Sequence, residues 1–359
     1  MWDADTDAQL RDSLARFLAE GRAADPARLW RGLARELGLL GAALPESAGG
    51  LGGGFAAHLG ILQALGAAMA AEPYLSTAVI GAGVLQRAGS LRAAALLRDV
   101  VAGDQLLAWA HQEPGMRDAL QDIGCTLRYQ AGAFTLHGRK RAVAMAGGTP
   151  LLIVSACLAG SGEPVLALVD LGAPGLLQRP LHTPDGLPAA ELLFDGVLVT
   201  EEALLCAPEQ GRAQVERTLD EATLAACAEA LGLMQRLITD TIAHLRERRQ
   251  FGVPLASFQV LQHRLAEMHI AREQAVALTE SLVGQLDAAA PQRALAVSAA
   301  KVAVNEALRC VGQGAVQLHG AMGVTEELFA ARLFRRATQL ALMFGSTQQH
   351  LRRIDALMD

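Results

Sequence analysis

The segment Arg248–Gln259 combines residue types that can bind a phosphate-bearing ligand. It places arginine, aromatic and amide side chains around a glycine and a proline, between two long stretches with a helical spacing of apolar residues. A guanidinium group and the free N–H groups of a helix end can bind phosphate, and a ring can cover a base. A plain turn between two helices explains the same residues, because most such connections bind no ligand. The segment alone leaves both interpretations open.

A second segment, Gln317–Glu327, places a glutamine before a loop of small residues. Small residues allow a dinucleotide to approach the backbone amides closely, and Gln317 offers an amide donor. For this segment alone, a helix C-cap at Gly320 is the better interpretation. When both segments are considered together, ligand binding is favoured.

The composition argues against several other classes of protein. A net charge of −6 offers no basic surface for nucleic acid. The five cysteines are odd in number and never spaced as CxxC, so they indicate neither a disulfide framework nor a zinc site. The N-terminus lacks the features of a secretion signal, and no apolar run is long enough to span a membrane. We therefore expect a cytoplasmic protein that binds neither nucleic acid nor membrane.

Histidine chemistry is not indicated by spacing either. The histidines after residue 211 are dispersed without metal-ligand spacing, and we interpret them as surface or boundary residues; they are His244, His263, His269, His319 and His350. A GxSxG segment, which would indicate a serine hydrolase, is absent from the sequence.

The apolar period of the chain changes twice. Helical spacing dominates the first hundred residues, short runs of strand-forming residues follow, and strong helical spacing then returns. We predict an N-terminal helical domain (1–104), a middle domain with a small antiparallel β-sandwich or barrel (105–210), and a C-terminal four-helix bundle (211–359). The fold class is α+β and mainly α.

The two segments and this order of elements resemble the acyl-CoA dehydrogenase family over the whole chain. The resemblance implies FAD as cofactor, an acyl-CoA thioester as substrate of an α,β-dehydrogenation, and an electron-transfer flavoprotein as electron acceptor. It also implies at least a dimer, commonly a tetramer, because one subunit of the family contacts the diphosphate and adenine end of its neighbour's FAD. The positions that match family cofactor contacts are Arg248, Gln250, Phe251, Gln259, Gln317, Gly320, Ala321, Ser346 and Gln348.

The usual catalytic base of the family is missing from its expected position. Relatives commonly carry Glu-Gly-Thr-x-Gln near the C-terminus, and this chain has Phe344 in place of that glutamate. A subset of relatives places the base early in the first helix of the bundle, where Glu221 and, second, Asp220 are the nearest carboxylates. The alternative is that these acids complement the N-terminal dipole of that helix.

The middle domain also departs from the family pattern. Relatives place a tryptophan and a threonine against the flavin ring, where this chain has Ala142 and Ala144. The chain thus keeps groups for a neighbour's FAD but lacks several that would hold its own. Heteromeric members would show this asymmetry, and the sequence resembles small subunits of the pimeloyl-CoA dehydrogenase type. A non-catalytic partner subunit and a flavin monooxygenase of the same fold remain alternatives.

Overall fold

A computed structural model describes residues 4–20, 25–116, 119, 122–130, 132–145, 148, 151–325 and 328–358. The helices are α1 (Ala4–Ala19), α2 (Pro26–Arg31), α3 (Gly54–Ala67), α4 (Ala82–Ala88), α5 (Leu91–Ala102), α6 (Pro208–Glu247), α7 (Gln259–Leu282), α8 (Ala290–His319), α9 (Phe329–Leu342) and α10 (Thr347–Met358). The strands are β1 (Leu107–Ala110), β2 (Thr126–Gln130), β3 (Ala133–Ala144), β4 (Leu151–Leu158), β5 (Pro164–Asp170), β6 (Leu176–His182), β7 (Pro188–Val199), β8 (Arg249–Gln250) and β9 (Val253–Pro254). None of the described helices combines the length and apolar character that crossing a membrane requires.

The chain divides into two compact units. One comprises Met1–His58 and Glu72–Ala222, and the other comprises Leu59–Ala71 and Thr223–Asp359. The first unit therefore holds the N-terminal helices and the main sheet, and the second holds most of the C-terminal helices together with part of α3. Along the chain, the order of the elements is the expected one of helices, strands and helices.

The sheet of the first unit has the strand order β1-β4-β2-β3-β7-β6, with β5 also paired to β4. Most neighbours run antiparallel, as expected, but β1 and β2 each run parallel to β4. The expectation of a purely antiparallel sheet is wrong for these pairs. Other strands or connecting segments separate β1 and β2 from β4 in sequence, so no tight hairpin imposes the antiparallel direction.

A buried polar cluster lies within this sheet region. The ammonium group of Lys140, which is fully buried, donates to Glu113 Oε1 at 2.6 Å, to Ser155 Oγ at 2.9 Å and to the carbonyl oxygen of His111 at 3.1 Å. Three acceptors match the three donors of an ammonium group, which offsets the cost of its burial. The cluster therefore stabilises the β-sheet region.

Two glycines allow α3 and α6 to pack closely in the second unit. A Cβ atom at Gly232 would overlap the carbonyl oxygen of Gln63, and one at Gly66 would overlap the carbonyl oxygen of Glu229. Larger residues would push the helices apart, so these glycines fix the position of α6 along α3.

A buried ion pair then connects α6 to α9. Arg336 donates from Nε to Glu229 Oε1 at 2.6 Å and from Nη2 to Oε2 at 2.8 Å. Glu229 is 1% exposed and Arg336 is 4% exposed. A planar guanidinium that meets a carboxylate in this two-fold manner permits little sliding between the helices.

We predict that Arg336→Met lowers the free energy of unfolding by about 3–5 kcal/mol, because it leaves the carboxylate of Glu229 buried without its counter-charge. Urea unfolding monitored by circular dichroism would measure the loss. Arg309→Met is the matched control, since Arg309 pairs with Glu306 on the exposed surface of α8 and should contribute less than about 1 kcal/mol. Equal losses in the two variants would contradict the prediction.

Candidate functional site

A cavity of about 750 Å³ lies in the second unit, between the ends of α6 and α8 and the start of α7. We call it the α6–α8 cavity. Its lining residues are His244, Arg248, Leu255, Val260, Leu261, Arg264, Gln317, Leu318, His319, Gly320, Ala321 and Met322. The two segments that are predicted to bind a ligand therefore meet at one cavity.

The first segment forms a small β-hairpin directly after α6. Strands β8 and β9 pair antiparallel, with Phe251 and Gly252 at the turn. Both turn residues have positive φ, 54° and 82°, as a type I′ hairpin turn requires. The amide of Leu255 donates to the carbonyl oxygen of Arg248 at 2.8 Å and closes the hairpin onto the helix end. Arg248 is thereby held at the rim of the cavity.

Phe251 occupies an unfavourable position within this hairpin. A phenylalanine at positive φ is strained by about 1–3 kcal/mol, and its ring is 91% exposed. The ring meets Phe258 edge-on, with the centroids 6.2 Å apart. Strain together with exposure is typical of a residue that serves a contact outside its own chain.

The second segment ends α8 with a change of backbone direction. Gly320 adopts φ 64° and ψ −145°, which side-chain-bearing residues rarely adopt, and a 3₁₀ turn follows over Gly320–Val324. A Cβ atom at Gly320 would meet open space, so the glycine is required for conformation rather than for packing. The turn exposes backbone beside Gln317. Glu326 and Glu327, at the end of this segment, lie outside the described residues.

Only some of the residues predicted to contact the cofactor lie together at the α6–α8 cavity of one chain. Arg248, Gln317, Gly320 and Ala321 line the α6–α8 cavity. Gln250 and Phe251 lie on the exposed hairpin, and Gln259 begins α7 beside the lining residue Val260. Ser346 and Gln348 do not line the cavity. Ser346 lies in the turn between α9 and α10, where its N–H and hydroxyl donate to Gln349 Oε1, and Gln348 lies in the first turn of α10.

Phe344 lies in that same turn, in a conformation that nearby polar groups stabilise. Its φ is 57° and Gly345 follows with φ 119°. Nε2 of His350 donates to the Phe344 carbonyl oxygen at 3.0 Å, and the Ser298 hydroxyl lies 3.1 Å from Nδ1 of the same ring. Burial lowers the pKa of His350 to about 4, so the ring is neutral near pH 7. The side chain of Phe344 itself can neither accept nor donate a proton.

Further contacts hold the end of α9 that leads into this turn. Lys301 Nζ donates to the Leu340 carbonyl oxygen at 2.5 Å, and Asn305 Nδ2 donates to that of Ala341 at 3.2 Å. Burial lowers the pKa of Lys301 to about 8. These groups satisfy carbonyl oxygens that a helix end leaves without partners.

The candidate base Glu221 is engaged by two arginines in the first unit. Its Oε1 accepts from Nε of Arg217 and its Oε2 accepts from Nη1 of Arg87, each at 2.7 Å. Arg87 also donates to Thr218 Oγ1 at 2.9 Å, which fixes its guanidinium group. Glu221 is 7% exposed and Asp220 is fully buried. The role of either residue as a base stays a prediction.

The alternative role of these acids, to complement a helix N-terminus, is wrong. The helix α6 begins at Pro208, more than three turns before Asp220, and the dipole effect fades within the first turn.

At the positions matched to flavin contacts, the structure shows two small side chains. Ala142 is exposed and has φ 55°, where the register between β3 and β7 shifts. Ala144 is half-buried at the end of β3. A methyl group provides neither a ring for stacking nor a hydroxyl for hydrogen bonding.

Spacing along the chain gave no sign of two cavity-lining histidines. His244 and His319 stack with ring centroids 4.5 Å apart at an angle of 29°. Arg264 of α7 also lines the cavity and was not selected from the sequence. Among the described residues, His, Cys, Asp and Glu form no group of three or more that could hold a metal ion.

Comparison with known proteins identifies the family. The model of the acyl-CoA dehydrogenase N-terminal domain matches residues 4–104, and that of the C-terminal domain matches residues 209–358. Benzylmalonyl-CoA dehydrogenase of Aromatoleum aromaticum is 28% identical over 98% of this chain and 97% of its own length.

Two solved structures are similar over almost the whole chain. The Tcur3481-Tcur3483 steroid ACAD variant is 32% identical, with a TM-score of 0.87, and the match covers 99% of this chain and 98% of the other chain. The ChsE4-ChsE5 complex from Mycobacterium tuberculosis is 25% identical, with a TM-score of 0.86 and the same coverage. The resemblance stated from the sequence motifs is confirmed, as is the fold class. The chain belongs to the acyl-CoA dehydrogenase family, whose members are FAD-dependent flavoproteins.

Proposed function

We propose that this chain is a subunit of a FAD-dependent acyl-CoA dehydrogenase and that its α6–α8 cavity binds the diphosphate and adenosine end of FAD. The observation that carries the proposal is the meeting of Arg248 and Gln317, from two separate helix ends, at one cavity of about 750 Å³. That volume lies within the range of roughly 300–1,000 Å³ usual for small-molecule sites.

The residues of the cavity fit this end of the cofactor. Arg248 and Arg264 supply positive charge for a diphosphate, and an arginine can pair with two phosphate oxygens at once. Gln317 supplies an amide that can bind a ribose hydroxyl or a phosphate oxygen. The turn at Gly320 allows a ligand to approach the backbone. The fit covers the nucleotide end of FAD only.

The flavin end finds less support in this chain. Ala142 and Ala144 replace the ring and the hydroxyl that relatives place against the flavin. We therefore propose that the flavin contacted by this chain belongs mainly to a neighbouring subunit. Gln250 and Phe251 on the exposed hairpin, with Gln259, Ser346 and Gln348, would complete contacts across that interface.

A heteromer explains this asymmetry best. Each of the two similar structures is named by a pair of designations, Tcur3481-Tcur3483 and ChsE4-ChsE5, and the second is a complex. We propose a dimer or tetramer of unlike subunits for this chain, with an electron-transfer flavoprotein as a further partner. The likeness to small subunits of the pimeloyl-CoA dehydrogenase type stays part of this proposal, as do the domain bounds 1–104, 105–210 and 211–359.

The reaction requires a base and an acceptor for hydride. FAD, when bound, accepts the hydride from the β-carbon of the thioester. The base must remove the α-proton, and Phe344 cannot. In sequence, Glu221 is the carboxylate nearest to the position where a subset of relatives carries the base. Each of its carboxylate oxygens already accepts a hydrogen bond from an arginine. A carboxylate held by two arginines is poorly placed to accept a further proton. These two hydrogen bonds therefore favour the alternative in which the partner subunit supplies the base and this chain completes the cofactor site.

Arg248→Gln tests the cofactor role directly. We expect FAD to dissociate from the assembled enzyme roughly ten- to a hundred-fold more readily, because a charge-assisted contact with phosphate contributes about 1.5–3 kcal/mol. Flavin fluorescence, which increases on release, would measure the dissociation constant. Arg246→Gln is the control, since Arg246 is exposed two positions away on α6 and does not line the cavity.

Equal FAD affinity in these two variants would contradict the proposed role of Arg248.

Bleaching of the flavin by an acyl-CoA, without NAD(P)H or reduced flavin, would separate a dehydrogenase from a monooxygenase of the same fold. Flavin reduction that requires NAD(P)H would contradict the dehydrogenase assignment.

Glu221→Gln tests whether this chain supplies the base. We expect turnover per bound FAD to change less than about threefold, whereas removal of a general base reduces it by about 10²–10⁴. The melting temperature should fall, because Arg87 and Arg217 lose their shared counter-charge. Loss of turnover with an unchanged melting temperature would instead assign Glu221 as the base.

A further inference from the structure

Two imidazole rings lie on the wall of the α6–α8 cavity without an assigned role. His244 projects from α6 and His319 from the end of α8, and their rings stack 4.5 Å apart. Both line the cavity together with Arg248, which is one helical turn after His244. The site proposed for a diphosphate thus contains two groups that can gain a proton.

The hydrogen bonding of His319 fixes where its proton lies. Nδ1 is 2.9 Å from the carbonyl oxygen of Ala315, which can only accept, so Nδ1 carries the hydrogen. The neutral ring therefore has an unprotonated Nε2. A second proton would convert Nε2 from an acceptor into a donor, and a donor is what a phosphate oxygen requires.

The surroundings of His244 disfavour a charge in the absence of a ligand. Burial is the largest cause that lowers its pKa, followed by His319 and Arg248, while Glu247 acts in the opposite direction. Arg264 adds positive charge from α7, and the turn Gly320–Val324 contributes only uncharged residues. The cavity therefore concentrates positive charge around a ring that is neutral near pH 7.

A bound anion would reverse this balance. A diphosphate beside Arg248 brings two negative charges close to the rings, and a nearby negative charge favours the protonated imidazole. Two protons on stacked rings would repel each other, so the pair takes up one. The proton comes from solvent.

We propose that His244 and His319 form a proton-linked part of the anion site, which takes up one proton when the diphosphate of a dinucleotide binds beside Arg248. This inference rests on the proposed function. The direction of the pH dependence follows from linkage, because the bound anion raises the imidazole pKa above its value in the free protein. The additional affinity is fully present below the free-protein pKa and is lost as the pH rises through the ligand-bound pKa.

The test uses ADP-ribose, whose doubly esterified diphosphate keeps a constant charge across the pH range of the experiment. Isothermal titration calorimetry with the FAD-free complex of this chain and its partner subunit at pH 6, 7 and 8, in two buffers of different ionisation enthalpy, gives both the dissociation constant and the number of protons taken up. We expect uptake of up to about one proton and a dissociation constant that rises about tenfold from pH 6 to pH 8. Adenosine, which lacks the diphosphate, should show no uptake.

His244→Phe should remove most of the proton uptake while it keeps a ring against His319. His269→Phe is the control, because His269 is exposed on α7 and its neighbour is Glu273 rather than the cavity. The control should retain the pH dependence of the unmodified protein.

The outcomes separate the two proposals. Suppose that ADP-ribose binds and that Arg248→Gln weakens this binding. If binding then takes up no proton, or if His244→Phe takes up as many protons as the unmodified protein, the inference is overturned and the proposed function is left in place. Binding that is absent, or indifferent to Arg248→Gln, contradicts the proposed cofactor site and the inference with it.

Discussion

The fixed position of α6 is the constraint on which the candidate site depends. The bidentate pair between Glu229 and Arg336 ties this helix to α9, and Gly66 and Gly232 allow close contact with α3. A helix transmits such a constraint along its length because it is stiff. The 19 residues from Glu229 to Arg248 span about 28 Å, so a register fixed in the bundle core also fixes Arg248 at the cavity. Gln317 arrives there from the end of α8.

The proposed nucleotide region is well supplied with suitable side chains, whereas the positions matched to flavin contacts are not. Arg248, Arg264 and Gln317 converge on a cavity, whereas Ala142 and Ala144 provide little for an isoalloxazine ring. Phe344 removes the common base, and the turn that carries it is nevertheless held by His350. A subunit that lost catalysis without losing its role in the assembly would keep the scaffold of this turn. This distribution of groups is the physical basis of the heteromer proposal.

The sequence was sufficient for features that repeat locally or match a family motif. Helical spacing predicted the N-terminal and C-terminal helical regions, and the motifs at Arg248 and Gln317 predicted the family. Strand β6 is not predictable from an alternating apolar pattern, because most of its residues are exposed and lack a buried alternating face. The arginine contacts of Glu221 could not be anticipated, since Arg87 is 134 positions away. The His244–His319 stack was hidden for the same reason: residues on separate helices meet only after the helices pack.

The ratio of flavin to protein is the most direct test of the account. The chain would be purified alone and after co-expression with a second acyl-CoA dehydrogenase subunit of the same organism, and FAD would be quantified after release. We predict that the chain alone is colourless and that the complex holds about one FAD for each pair of unlike chains. A single chain that retains one FAD and oxidises an acyl-CoA without any partner would contradict it.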